Sequence, residues 1–297
     1  MTTATSTPTP LGFLGLGLMG SRMAKNLAAK GFAVRGWNRS AKRAQGLGLT
    51  LAATPAELGA YADVLVTCVA DPAALAEVAQ GPQGFLATAK KGALWIDCST
   101  IGPDDARAFE AAAKAKGLDF VEAPVTGSKN GAEKGTLVLM VGASDQAFAR
   151  ASKVFAAVGE KAIHVGPVGA GSQVKLAGNV LIAAMLQAFS EGLLLTRKAG
   201  ASPEKLIEVI QSSGFRSPYF DFKGKAMLAR DFDQHFSVDL MHKDLGLFLD
   251  SAAKHKVPTP AAASLREIYN LARSAGKGQL DISGVITAFE DLCGTRL

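Results

Sequence analysis

The chain has 297 residues, too many for one small core, so two domains are the natural expectation. Hydrophobic residues make up 48% and charged residues 20%, an ordinary soluble globular composition. A net charge of +6 with no basic run or aromatic-basic stripe argues against a nucleic-acid partner, and a mildly basic field suits anionic small molecules such as phosphates and carboxylates.

Residues 1–10, MTTATSTPTP, read as a polar disordered tail with no basic region of a signal peptide. Apolar runs at 11–16, 32–37, 63–69, 93–98, 119–123, 137–142 and 161–165 then read as strands, separated mostly by Ala-rich segments of helical spacing. Such alternation predicts a parallel sheet with helices on both faces, an α/β doubly wound domain over 11–168. Thr54-Pro55-Ala56-Glu57 combines an N-cap, proline at N1 and an acid at N3, and Pro103-Asp104-Asp105 opens another helix.

After Gly166-Pro167 no strand is expected. Ser172–Ala199 reads as one long connecting helix, and Ser202-Pro203-Glu204, 238–256, 260–274 and 283–292 as further helices of an all-α domain over 169–297. The longest apolar run, 180–195, contains Gln187, Ser190 and Glu191, which argues against a membrane span. The cysteines, Cys68, Cys98 and Cys293, lack metal-ligand or CxxC spacing and fit a reducing cytoplasm, and the scattered histidines suggest no metal site.

The first strand runs into Gly15-Leu16-Gly17-Leu18-Met19-Gly20, a G-x-G-x-x-G at the start of a helix pattern. The glycines permit a tight turn and close approach of backbone to a pyrophosphate seated on the helix N-terminus. The second strand ends in Asn38-Arg39-Ser40, where an NAD enzyme usually carries an acid for the ribose 2′-hydroxyl. Arg39 can pair with a 2′-phosphate and Asn38 and Ser40 can add neutral hydrogen bonds, so NADP(H) is expected. Thr126-Gly127-Ser128 offers two hydroxyls and consecutive amides near a strand's carboxyl end. That is either a nest for a carboxylate or a Gly/Ser-rich turn. Lys175 and Asn179 share a helical face where a cleft between domains is expected. Lys175 is either a solvated lysine or a proton donor to a carbonyl oxygen as hydride arrives at its carbon.

The Gly-rich start, the ST of IDCSTIGP, EAPVTGS, the GxGxxxKxxxN of GAGSQVKLAGN and HKDLGL together resemble the β-hydroxyacid dehydrogenase family over about residues 11–292. The NR after the second strand, GSKNGAEKGTL and FSEGL are most similar to its NADPH-dependent glyoxylate and succinic semialdehyde reductases. The resemblance implies a Rossmann domain followed by a helical domain, reduction of small aldehyde acids to hydroxy acids, and a homodimer or homotetramer. It places the catalytic lysine on Lys175 and substrate contacts on Thr126, Gly127, Ser128, Asn179, Phe236 and Asp244. It places cofactor contacts on the glycine loop, Asn38, Arg39, Ser40, Val69, Ala70, Thr100 and Lys243. Thr126 departs from the more usual serine, its methyl narrowing the pocket, and SGFRSPYFDFK at 213–223 departs from the expected small-residue pattern. The alternatives are a 3-hydroxyisobutyrate or tartronate semialdehyde type dehydrogenase and a non-catalytic dinucleotide-binding module. Lysine at 175 argues against an imine reductase.

Overall fold

The computed structural model describes residues 8–297. The first seven residues of the expected tail lie outside the described residues; Thr9 already accepts the Ala33 N–H through its carbonyl, and the sheet begins at Pro10. The chain divides into two compact units, one ending at Lys175 and the other running Leu176–Leu297.

The first unit is built on nine strands: β1 (Pro10–Leu14), β2 (Ala33–Trp37), β3 (Thr50–Leu51), β4 (Val64–Thr67), β5 (Leu94–Asp97), β6 (Asp119–Glu122), β7 (Val125–Thr126), β8 (Leu137–Gly142) and β9 (Gly159–Gly166). Their order is β3-β2-β1-β4-β5-β6-β8-β7, with β9 beside β8. From β3 to β6 every pair is parallel, as alternation predicts. The exception is β8, which runs antiparallel to β6 and β7 and parallel to β9. Only residues 127–136 join β7 to β8, too few for a crossover to a parallel neighbour, so the chain folds back.

Helices α1 (Gly20–Ala29), α2 (Ala41–Ala44), α3 (Pro55–Tyr61), α4 (Pro72–Gln80), α5 (Pro103–Ala115), α6 (Ser128–Lys134) and α7 (Asp145–Val158) fill the connections. Their starts follow the residues. Thr54 Oγ1 accepts the Glu57 N–H at 3.3 Å while Glu57 accepts the Ala53 N–H at 2.9 Å, and Asp105 returns to the Gly102 N–H at 3.0 Å. Alternate residues of each strand enter different cores. Phe13, Ile96 and Val121 pack with Met23, Leu27 and Val154 on one face, and Leu65, Trp95 and Phe120 with Leu58, Phe85 and Phe109 on the other.

Helix α8 (Ala170–Lys198) begins in the first unit and supplies the second with its longest element. The second unit adds α9 (Pro203–Gln211), α10 (Pro218–Leu228), α11 (Val238–His255), α12 (Pro260–Ser274) and α13 (Val285–Cys293), with no named strand among its described residues. α10 begins in the 213–223 stretch and runs beyond it; Ser217 caps it by accepting the Tyr219 N–H at 3.2 Å, with Pro218 at its first position. By length and composition α8 could cross a membrane. Its Ala183, Leu186 and Leu193 are instead fully buried beside Met241, Leu245 and Tyr269 of the second core.

That core contains a buried ion pair, Lys223 Nζ to Asp281 Oδ1 at 2.6 Å. Burial alone would raise the Asp281 pKa; the Lys223 ammonium and the Ser283 hydrogen bonds outweigh it and hold the carboxyl below its usual range. Asp281 Oδ2 also accepts the His235 and Phe236 N–H groups at 3.1 and 3.2 Å. Lys223→Met keeps the aliphatic stem and strands the buried carboxylate. The expected result is a loss of about 3–5 kcal/mol in urea unfolding. A midpoint equal to wild type would show that the pair carries no stability.

Candidate active site

Three glycines after β1 have three separate spatial duties. Gly15 sits at φ 101°, and a Cβ there would lie 2.2 Å from the Cys68 carbonyl oxygen. Around Gly17 nothing lies within 4 Å of an added Cβ, so its backbone faces open space. At Gly20 a Cβ would lie 1.9 Å from the Gly15 carbonyl oxygen. Tight turn, unobstructed approach and close helix–strand packing are what a pyrophosphate on the α1 N-terminus requires. Leu16 is buried in the first core, whereas Leu18 is exposed and its carbonyl accepts from Arg22 Nη1 at 2.8 Å. The same Arg22 reaches Glu133 of α6 at 2.5 Å.

After β2, Asn38 spends its side chain on the protein. Oδ1 accepts the Leu16 N–H at 3.0 Å and Nδ2 donates to the Ser40 carbonyl at 2.9 Å, so Asn38 splints the glycine loop to the end of β2. Arg39 and Ser40 are exposed, and Ser40 makes no side-chain cap on α2. No Asp or Glu precedes Glu57 in the sequence, so the segment after β2 carries Arg39, Lys42 and Arg43 with no carboxylate of its own.

Two further loops are held by a buried network. Asp97 accepts the Thr67 hydroxyl at 2.6 Å and the Ser99 hydroxyl at 2.7 Å, while Ser99 Oγ accepts the Val69 N–H at 3.0 Å. The network shapes the carboxyl ends of β4 and β5, where Val69, Ala70 and Thr100 lie. Burial first, then the Asp97 charge, pushes the Cys68 thiol up to about 12, and burial raises Cys98 well above its usual value; neither is a thiolate nucleophile.

Thr126 closes β7 opposite Val138, with its side chain at the exposed edge. Gly127 at φ 129° and Ser128 at φ 55° then turn the backbone through left-handed space into α6. The segment is therefore a strand–turn–helix, with the first-turn amides of α6 following the two hydroxyls. Just before it, Glu122 at the end of β6 is 1% exposed and accepts four hydrogen bonds from the start of α8. Periodicity did not single out Glu122; an acid closing the apolar strand DFVE was the available signal.

Lys175, half-buried, stands in the second turn of α8, one helical turn before the buried Asn179. In the second unit Asn179 Nδ2 donates to Asp244 Oδ2 at 2.5 Å, and Lys243 Nζ pairs with Asp244 Oδ1 at 2.9 Å. Asn179, Lys243 and Asp244 thus come together, and the Asp244 carboxylate is turned to protein partners. Phe236 packs at the margin of the second core on the segment that Asp281 holds.

Two family models match the chain. Residues 10–166 match the NAD binding domain of 6-phosphogluconate dehydrogenase, and residues 169–289 match the NAD-binding region of NADP-dependent 3-hydroxyisobutyrate dehydrogenase. The chain belongs to the β-hydroxyacid dehydrogenase family. It is similar to 2-(hydroxymethyl)glutarate dehydrogenase of Eubacterium barkeri, 36% identical over 97% of each chain. It is similar to glyoxylate/succinic semialdehyde reductase 1 of Arabidopsis thaliana, 34% identical over 94% of this chain and 97% of that one. The structure of Mycobacterium tuberculosis 3-hydroxyisobutyrate dehydrogenase with L-serine superposes with a TM-score of 0.85 at 32% identity, covering 95% of this chain and 99% of that one. This family member is an NAD(P)-dependent oxidoreductase with a Rossmann-type unit followed by a helical one, and its glycine loop fits a nicotinamide dinucleotide.

Proposed function

We propose that this β-hydroxyacid dehydrogenase reduces small aldehyde acids, glyoxylate or succinic semialdehyde, with NADPH. The observation that carries the reaction type is Lys175, one helical turn from an Asn179 whose amide is held by Asp244. The bound reduced nicotinamide supplies the hydride. Protonated Lys175 donates its proton to the carbonyl oxygen as that oxygen gains charge, and an alcohol returns it in the reverse direction. Lys243 neutralises the buried Asp244 and so keeps the amide of Asn179 oriented.

For NADP(H), support comes from exposed Arg39, exposed Ser40 whose hydroxyl does not cap α2, and the lack of an acid at the end of β2. For a carboxylate-bearing substrate, it comes from the exposed Thr126 hydroxyl beside the left-handed Gly127-Ser128 turn. The same features accommodate tartronate semialdehyde or the aldehyde of 3-hydroxyisobutyrate. The relative acting on 2-(hydroxymethyl)glutarate adds an aldehyde with two carboxylates to the candidates. An assembly of two or four copies is part of this reading, supported by Leu181 and Leu195 of α8, 65% and 72% exposed. Three free thiols fit a cytoplasmic setting.

A panel of aldehyde acids assayed by NADPH consumption tests the proposal. Succinic semialdehyde and glyoxylate are expected to exceed butanal in kcat/KM by about tenfold to a hundredfold, the worth of a charge-assisted contact. Equal values for butanal and succinic semialdehyde would exclude a carboxylate anchor, and no turnover of any aldehyde acid would favour a non-catalytic module. Thr126→Val is expected to act chiefly on KM, because anchoring is shared by ground and transition states.

A further inference from the structure

Glu122 is the least accessible acid of the first unit that the proposed chemistry leaves unused, together with Asp97. Asp97 bonds within the sheet and the loop after it, to Thr67 and Ser99, whereas Glu122 reaches a helix. Its Oε1 accepts the Gly169 N–H at 2.5 Å and the Gly171 N–H at 2.8 Å. Its Oε2 accepts the Ser172 hydroxyl at 2.6 Å and the Ser172 N–H at 3.2 Å. Three of these donors are amides at the start of α8, which no helical carbonyl serves, and the fourth is the Ser172 hydroxyl, so one carboxylate closes the first turn of a 29-residue helix.

The space for it is cleared by glycines. A Cβ on Gly142 would lie 2.1 Å from Glu122 Oε1, and one on Gly171 would lie 2.5 Å from the Met140 carbonyl oxygen and 3.2 Å from the Glu122 carboxyl carbon. The first turn of α8 is thereby seated directly on β8, at a height set by the Glu122 side chain. The backbone on the other side of Glu122 is equally fixed: Ala123 N–H donates to the Asp97 carbonyl at 2.7 Å, and the Pro124 carbonyl accepts the Met140 N–H at 3.0 Å. Two residues further on stands Thr126. One side chain therefore joins the strand that leads to the substrate anchor with the helix turn that leads to Lys175.

We infer that Glu122 is a positioning residue that fixes where Lys175 stands relative to the Thr126-Gly127 anchor. The inference rests on the proposed role of Lys175 as proton donor. Glu122 touches neither substrate nor cofactor in this account; it acts through the register and seating of the first turn of α8. A displacement of about 1 Å at a reacting group can cost about a hundredfold in rate, which is the scale on which a one-methylene change at Glu122 should be read.

The test compares Glu122→Gln, which keeps length but offers an N–H where Ser172 needs an acceptor, with Glu122→Asp, which keeps charge but falls a methylene short. Both are made in wild type and in Lys175→Ala. NADPH affinity is measured by fluorescence titration and hydride transfer to succinic semialdehyde by single-turnover kinetics. The expected result is a rate lower by about 10- to 100-fold for both variants, with NADPH affinity within about twofold of wild type. In the Lys175→Ala background neither variant should slow the reaction further, because the group being positioned is already gone. A purely structural carboxylate would lower the melting temperature, leave the rate of the folded enzyme alone, and overturn the inference. So would equal fold losses in the two backgrounds. A near-normal rate for Lys175→Ala alone is a different failure, of the proton-donor reading itself. Should both Glu122 variants fail to fold, Ser172→Ala removes only the 2.6 Å bond. A rate loss absent from the Lys175→Ala background supports the inference, and an unchanged rate overturns it.

Discussion

Lys175→Ala is expected to fold, to bind NADPH with little change, and to lose kcat by about 10²–10⁴, the worth of a positioned acid. Folding should survive because alanine is the best helix former and Lys175 lies within the 29-residue α8. Cofactor binding should survive because the glycine loop and Arg39 are made in other elements of the first unit. Lys175→Arg should rescue little, since a guanidinium remains protonated near neutral pH and surrenders no proton. Asn179→Ala has a second consequence. Its amide is the donor to buried Asp244 Oδ2 at 2.5 Å, so its loss should also reduce stability by about 1–3 kcal/mol. Single-turnover NADPH oxidation on folded Lys175→Ala decides the matter; a rate within about threefold of wild type would remove the lysine from the mechanism.

Arg39→Ala is expected to weaken NADPH by about tenfold to a hundredfold and to leave NADH nearly unchanged. The magnitude follows from a charged hydrogen bond worth about 1.5–3 kcal/mol. Arg39 is exposed, which favours the lower end and makes the effect shrink as salt is added. Asn38→Ala should behave differently. It removes the acceptor for the Leu16 N–H and the splint to Ser40. Both cofactors should then weaken together, because the glycine loop itself is loosened. Titration of the two cofactors against the two variants separates recognition of the 2′-phosphate from support of the loop. Wild-type preference for NADH would overturn the assignment.

Much of this molecule is legible as local pattern. Apolar runs of strand length, Thr54-Pro55 and Pro103 starts, and three glycines at fixed spacing each act within a few residues, so most strands of the parallel sheet and the nucleotide loop follow from short windows of chain, while the order β3-β2-β1-β4-β5-β6 and the short strand β3 are set by long-range pairing. The long helix is local in the same sense, although it starts at Ala170, two residues before the expected Ser172, which moves Lys175 from the first turn to the second. The antiparallel pairing of β7 and β8 departs from this pattern because connection length, rather than strand pattern, decides strand direction there.

Other features depend on partners far away along the chain. Asn38 reads locally as a ligand for phosphate, and its side-chain Oδ1 accepts the Leu16 N–H across the β1–β2 connection. Glu122 meets Gly169, 47 residues on, and Asn179 meets Asp244, 65 residues on. Lys223 and Asp281 are each unremarkable in sequence and become an obligate pair only when burial removes water from both. Periodicity and caps report what a residue does to its own helix or strand. Which side chain satisfies a buried donor elsewhere is decided by packing: an unpaired polar group costs kilocalories inside the protein and almost nothing in the unfolded chain.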